Sequence, residues 1–491
     1  MLTDIPSWSG LLGRRYSEFQ ALPTHHKPRC RPGRVLSMSA TRVCFTGTCP
    51  RASPGGTRRL NRRNRQSKRG SFARASTSTT DIAEWLVANG GECSAVRAGV
   101  GSRGRGLFAA RNLRAGESIV RIPLKACITD IASPNPYPGC PYSVTLAAAI
   151  LTERDAGSSS RWAQYVSSLP EEVVGYANCD EALVGDEDVI RAAVGGDDAL
   201  VDELQTYASL VIGSHAAIVQ RGWNSKDWIW AMSQVHSRTF RVDLEVPAAH
   251  GARVGNSGNR ERTVRLLAPF ADLLNHDSDP NEVCCEWGVE QRAVGNDDVG
   301  SDLFNGVDFV VKASRDIQEG SEALVSYGER SDPHFFMYYG FIPKINPFNR
   351  APLFRTLREA SRWYARLCGD PNENDEARVR ERADAVAEID PIDGDVGGVC
   401  GIVDGAAAAR AREAAALEVG ENATVDDRLL RLFHVLSGEE EVAVAAARVR
   451  AAEVLSAMNE VDASRDEPSS EAAALAASFR ERRRALLRDV V

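Results

Sequence analysis

Apolar and polar positions alternate along the chain in distinct blocks. Ile82, Trp85 and Leu86 recur at helical spacing within 81–91, with Asp81 placed to cap the helix and Gly90 to end it. Residues 93–123 change to short apolar pairs between turns: Leu107 with Phe108, a turn at Ala115 and Gly116, then SIVRIP at 118–123. That pattern predicts short strands. Pro134, Pro136, Pro138 and Pro141 mark a loop. From about 143 to 240 the spacing is helical, as in SVTLAAAILTER and DWIWAMSQVHSRTF. Strand-like segments return at 264–274, 283–287, 307–313 and 323–327. The polar, Gly-rich stretches 249–263 and 288–306 interrupt them and read as surface insertions. From about 350 the chain is Ala-, Arg- and Glu-rich and helical, broken at 389–405 by Gly and Asp. Strands, a helical block, strands and then helices predict an α+β fold with a helical appendage.

Composition narrows the classes. A chain of 491 residues allows two or three domains and needs no disulfide or zinc staple. No apolar run approaches the ~18–20 residues of a membrane span, so an integral membrane protein is not expected. The 11 cysteines include no CxxC pair, which argues against a zinc ribbon, a redox pair or a disulfide scaffold. Charge is asymmetric. Residues 1–80 hold 16 Lys and Arg against Asp4 and Glu18, a net +14, so the rest of the chain carries −22. An acidic body is a poor general binder of nucleic acid. The first segment is Arg- and Ser-rich and acid-poor, the composition of an organellar transit peptide over 1–75, cleaved somewhere in 60–80. A disordered tail, or a nuclear or nucleic-acid patch at RRLNRRNRQSKR (58–69), are the other readings.

Three segments carry candidate chemistry; no P-loop or zinc-protease motif is present, and the glycines at 99, 101, 104 and 106 are followed by no crossover helix, so they are not read as a dinucleotide-binding turn. In GRGLFAARNLRAGESIVRIP (104–123), Gly104 and Gly106 let the backbone approach a ligand or take positive φ; taken alone, a plain turn between two strands is the simpler reading. In LLAPFADLLNHDSDPN (266–281), Asn275 offers a donor and an acceptor suited to an amino-acid head group, or serves with His276 as a capping or core pair. His276 has no partners at ligand spacing, so no metal is expected. In EALVSYGERSDPHFFMYYGF (322–341), Tyr327 and Tyr339 each precede a glycine and are core or site residues.

Taken in order, GRGLFA, a long helical insert, SRTF (237–240), FADLLNH (270–276), VSYGERS (325–331) and YYGF (338–341) resemble the SET-domain protein methyltransferases. The similarity is to the Rubisco large-subunit methyltransferase-like branch and covers about 81–345, with a helical insert at about 140–240. Residues 350–491 look like that branch's all-α substrate-binding domain. The resemblance implies small β-sheets in a knot-like arrangement that brings the Asn-His and tyrosine segments together. It implies S-adenosylmethionine as cofactor. Arg103, Gly104 and Arg105 match the backbone that holds it; Asn275 and His276 match the pair fixing its amino-acid and adenine portions. Arg238 matches an arginine near cofactor and substrate. Asp272, Tyr327 and Tyr339 match positions lining a lysine channel, with Tyr327 the catalytic tyrosine.

The implied activity is protein-lysine N-methylation of a folded, non-histone protein in the chloroplast, with the Rubisco large subunit or aldolase as candidates. A non-catalytic SET-like interaction module, and a nuclear or cytosolic lysine or histidine methyltransferase, are the alternatives. Two departures bear on substrate. Val242 stands where a second basic contact is usual, with Arg241 beside it, and Trp287 is nearest to a further family tyrosine.

Overall fold

The computed structural model describes residues 79–245, 253–254, 260–292, 304–370, 375–387, 416–463 and 470–491. The basic segment 1–75 and its targeting readings lie outside these residues, as do most of the stretches 249–263, 288–306 and 389–405.

Helix α1 (Thr79–Ala88) buries Ile82, Trp85 and Leu86, as the spacing predicts. It begins two residues before Asp81, so Asp81 stands in the first turn and is not its cap. An antiparallel hairpin follows, β1 (Val96–Gly101) with β2 (Gly104–Ala109). Then come β3 (Ser118–Pro123) and β4 (Ile128–Thr129).

The helical block is α2 (Tyr142–Ala156), α3 (Ala163–Ser168), α4 (Asp180–Val184), α5 (Glu187–Ala193), α6 (Asp198–Ile218) and α7 (Ser225–Arg238). Asp197 caps α6 by accepting from the Leu200 N–H, and Asn224 caps α7 by accepting from the Asp227 N–H. Each cap satisfies an amide that the helix itself leaves unpaired. The helical expectation to residue 240 overshoots. Thr239–Glu245 is a strand, β5. Arg241 and Asp243 are exposed there while Val242 and Leu244 are buried, a period of two that sets in as α7 ends.

Strand β5 pairs with β7 (Arg260–Leu267), which also pairs with β4 and with β6 (Arg253–Val254). The strand expected over 264–274 therefore stops at Leu267. A second sheet has the order β3-β10-β9-β11-β8, with β8 Asn275–His276, β9 Cys285–Gln291, β10 Val307–Ala313 and β11 Leu324–Val325. Its central strand β10 is buried at every position except Lys312, as a strand covered on both faces must be. A short turn of helix, α8 (Asp332–His334), leads into a π-helical turn, Phe335–Tyr339.

The C-terminal region is helical, with α9 (Leu357–Leu367), α10 (Glu376–Ala387), α11 (Asp427–Ser437), α12 (Glu440–Ala463) and α13 (Glu471–Val490). The all-α expectation misses a three-stranded sheet, β12 (Arg350–Phe354), β13 (Leu417–Gly420) and β14 (Thr424–Val425). Strands of two to five residues are too short to show a period.

Two hydrophobic clusters form, and α13 joins both. Ala476 and Phe479 belong to the first, with the larger sheets; Leu486, Leu487 and Val490 belong to the second. Between them Arg480 donates to the Ala193 carbonyl at 3.1 Å, and Arg483 to the Asp197 carboxylate at 2.6 Å. Arg483 and Asp197 are each 5% exposed, so this is a buried ion pair. Breaking a buried pair costs more than the pair contributes, because the remaining charge is desolvated and alone. Arg483→Met is expected to lower unfolding stability in urea by about 3 kcal/mol. Adding Asp197→Asn, which keeps an oxygen for the α6 cap, recovers part of that loss.

Candidate functional site

The site begins where β7 ends. Phe270 takes φ 75°, ψ −45° with its ring 1% exposed, a conformation that costs a non-glycine residue about 1–3 kcal/mol. The buried ring holds the backbone in that kink, and the chain turns through Ala271–Leu273 into β8. Strand β8 pairs in parallel with β11, Asn275 opposite Leu324 and His276 opposite Val325. Two segments distant in sequence thus lie side by side, the juxtaposition the motif order implies.

His276 is the hinge of this junction. The Tyr327 N–H donates to its Nδ1 at 3.0 Å, so Nδ1 carries the lone pair. Nε2 lies 2.6 Å from the Ser278 hydroxyl and is the N–H position. The Val325 carbonyl, 3.3 Å from Nδ1, therefore receives no proton from a neutral ring. Burial pushes the His276 pKa down to about 4. The imidazole is a neutral structural acceptor, stacked between Tyr327 and Phe335 at 5.0 and 4.6 Å.

The Tyr327 hydroxyl donates to the Leu274 carbonyl at 2.8 Å. Burial, with Tyr339 beside it, raises its pKa. A phenol whose proton is held this way presents only its oxygen lone pairs to a ligand. Tyr339 lies 5.0 Å away, ring to ring, at the end of the π turn, and its pKa is likewise raised by burial. Single π turns recur at functional sites.

On the other side stands the β1–β2 hairpin. Gly104 has φ 87°, and no atom lies within 4 Å of where its Cβ would be, so its backbone faces open space. Gly106 has the opposite reason for being glycine: a Cβ there would fall 2.5 Å from Glu322 Oε1 and 2.8 Å from Asn275 Nδ2. Asn275 Nδ2 donates to the Arg105 carbonyl at 2.9 Å and to Glu322 at 2.8 Å. Arg103 reaches Asp277 at 2.5 Å and Glu322 at 3.3 Å.

Arg238 donates to both the carbonyl and the carboxylate of Asp272, at 3.1 and 3.3 Å. Tyr165 donates to the same carboxylate at 3.0 Å. That carboxylate is 3% exposed and burial raises its pKa despite both partners. Asp272 thus anchors Arg238. The Arg105 guanidinium donates to the Ser168 carbonyl at 3.0 Å; burial and then Arg238 lower its pKa.

The structure joins Arg103, Gly104, Arg105, Asn275, His276, Tyr327 and Tyr339 through one run of contacts, and the Arg238–Asp272 pair is close enough for its charges to act on Arg105. Val242 is core, and exposed Arg241 pairs with Asp243. Trp287 packs on Phe240 and Phe309. Sequence reasoning missed Glu322, Asp277 and Tyr165. Glu322 lies in the polar turn QEGSE, which reads as a solvated loop; Asp277 adjoins the Asn-His pair and was within reach of the motif.

Comparison with known proteins fits this geometry. Residues 104–328 match the SET domain family model. Actin-histidine N-methyltransferase of Danio rerio is 26% identical over 285 residues, 53% of this chain and 41% of that protein. Its counterpart from Mus musculus is 24% identical over 309 residues, 58% of this chain and 46% of that one. The chain thus spans less than half the length of these relatives. The solved SET domain of LSMT bound to lysine and AdoHcy has a TM-score of 0.52 at 18% identity, covering 84% of this chain and 89% of that one. Rubisco LSMT bound to AdoMet gives 0.51 at 17%, covering 84% and 90%. Over residues 104–328 the chain is similar to a SET domain. Its fold, small sheets followed by a helical C-terminal region, is that of Rubisco LSMT.

The neutral histidine has a pH consequence. Its folded pKa, about 4, lies below the unfolded value of about 6.5, so the unfolded state takes up the proton first as pH falls. Stability present above pH 6.5 is lost on acidification toward the folded pKa. His276 is expected to account for about 2 kcal/mol of lost stability between pH 7 and pH 5. His276→Asn, which keeps an acceptor for the Tyr327 N–H, is expected to flatten urea-unfolding stability over that window.

Proposed function

We propose that the chain is an S-adenosylmethionine-dependent protein N-methyltransferase whose target is a lysine. The observation that carries the reading is the Tyr327 oxygen. Its proton is engaged by Leu274, its ring faces Tyr339, and it stands one residue pair beyond the Asn275–His276 junction of a SET domain. The residues fit the cofactor. The Gly104 backbone is open, and Asn275 Oδ1 accepts no hydrogen bond among the described residues, leaving an acceptor for an ammonium group. Arg103, Gly104 and Arg105 would hold the cofactor with Asn275 and His276, and Arg238, held by Asp272, would stand near both ligands. The cofactor supplies an electrophilic methyl group on a sulfonium.

The protein's part is alignment. Displacement at a methyl group needs nucleophile, carbon and leaving sulfur in line, which is a positioning effect and requires no covalent intermediate. Tyr327 is kept protonated by burial, so it does not serve as a base; its lone pairs orient the amine. Tyr327 and Tyr339, packed ring to ring 5.0 Å apart, form one aromatic wall whose electron-rich surface suits a developing ammonium. An apolar channel also lowers the lysine pKa from about 10.4, making the neutral amine accessible.

A histidine target is the second reading, favoured by the names of the curated relatives. The two differ in pH dependence. A lysine target makes the rate climb through pH 8 and 9, whereas an imidazole with a pKa of about 6.5 makes it level off near pH 7. The Arg- and Ser-rich, acid-poor composition of residues 1–80 supports a plastid protein, with the Rubisco large subunit or aldolase as candidate substrates. A fluorescent protein fused behind that segment enters plastids on this reading, and the nucleus or cytosol on the alternatives.

The activity test is transfer of labelled methyl from S-adenosylmethionine to an undermethylated protein extract by the full chain. Tyr327→Phe is expected to cut turnover by about 10²-fold while leaving cofactor affinity within about threefold. Residue-level mass spectrometry of the labelled protein identifies lysine or histidine. A chain that labels nothing and binds no cofactor supports the non-catalytic module; one that labels nothing but binds the cofactor points to a missing or already methylated substrate.

A further inference from the structure

We propose that Glu322 is a positioning residue for the cofactor: its carboxylate fixes which way the Asn275 carboxamide faces, and Arg103 holds Glu322 in place for that task. This rests on the reading of the Asn275 edge as the cofactor-binding edge.

The argument starts from the carboxamide. Asn275 Nδ2 has two hydrogens, and both go to groups that can only accept, the Arg105 carbonyl and Glu322 Oε1. Rotating the amide by a half turn would set its oxygen against two acceptors, so one orientation is selected. The oxygen is then the only group Asn275 has left to offer. An acceptor there suits an amino-acid ammonium; the reversed amide would present donors to a cation.

Glu322 is built into this place. It bridges to Phe108 of β2, and the next residue, Ala323, donates from its N–H to the Leu107 carbonyl at 2.8 Å. That lays the carboxylate across Gly106, where a side chain would collide with it. The carboxylate is 9% exposed, and each oxygen has its own partner, Oε1 with Asn275 and Oε2 with Arg103. The second tie of Arg103, to Asp277, keeps the guanidinium between the hairpin and the turn after β8.

A role as mere scaffold and a role in aiming Asn275 differ in what they move. The full-length protein is compared with Glu322→Met and Glu322→Gln by calorimetric titration of S-adenosylmethionine, by kcat and KM, and by thermal melting. Glu322→Met has similar length and no acceptor. It is expected to raise Kd and KM for S-adenosylmethionine by about 10–100-fold, with kcat at saturating cofactor within about threefold of the parent. Glu322→Gln keeps an acceptor oxygen for Asn275 but turns its NH2 toward Arg103, and is expected to recover most of the loss, to within about tenfold of the parent. A folded Glu322→Met protein with parental Kd overturns the proposal, and so does a Gln variant no better than the Met variant. If Glu322→Met does not fold, Glu322→Asp takes its place, because it keeps the charge and withdraws the oxygen by one methylene; the same separation of KM from kcat is expected. An unaltered chain that binds no S-adenosylmethionine overturns the reading of the edge itself, a failure seen before any variant is made.

Discussion

Two strands of two residues each, Asn275–His276 and Leu324–Val325, must find one another in parallel across 49 residues of chain. So short a pairing has little stability of its own. It holds because its other bonds are buried. Val325 also pairs with Cys285, the Tyr327 N–H closes on the His276 ring, and the Tyr327 hydroxyl closes on the Leu274 carbonyl. Those bonds require a neutral imidazole and a protonated phenol, and burial supplies both. The same contacts that join the strands therefore set the protonation states of the site.

The tyrosine side of the junction depends on distant parts of the chain. Phe336, in the π turn that ends at Tyr339, is stacked between Tyr176 of the helical block and Phe479 of α13, at 4.5 and 4.6 Å. Helix α13 is fixed in turn by Arg480 and Arg483, which reach the end of α5 and the cap of α6. The C-terminal region thus supports the aromatic wall directly. A substitution in α13, far along the sequence from Tyr327, acts on the site through Phe479.

Much of this was legible in the chain. Helical spacing located α1, α2, α6 and α7, and alternation located the strands that carry Leu107, Ile122 and Val310. The ordered motifs placed Asn275, His276, Tyr327 and Tyr339, though no one of them reads as chemistry alone. What escaped was local structure too short or too dependent on tertiary pairing. Strand β5 follows α7 without a break, and β12 to β14 are short pieces whose partners lie elsewhere. Glu322 escaped for the same reason: its partners lie 47 and 219 residues away, and nothing in QEGSE announces them. The aspartates show the converse. Asp272 was identifiable as a site residue from its motif, but its burial against Tyr165 and Arg238 emerges only from the fold.

The central claim is that the Asn275–Tyr327 junction and the β1–β2 hairpin enclose one cofactor site. Hydrogen–deuterium exchange of the full chain with and without S-adenosylhomocysteine tests it most directly. The account predicts slowed exchange confined to residues 103–109, 270–278 and 324–341. Protection elsewhere, or none at a ligand concentration that saturates a methyltransferase site, would contradict it.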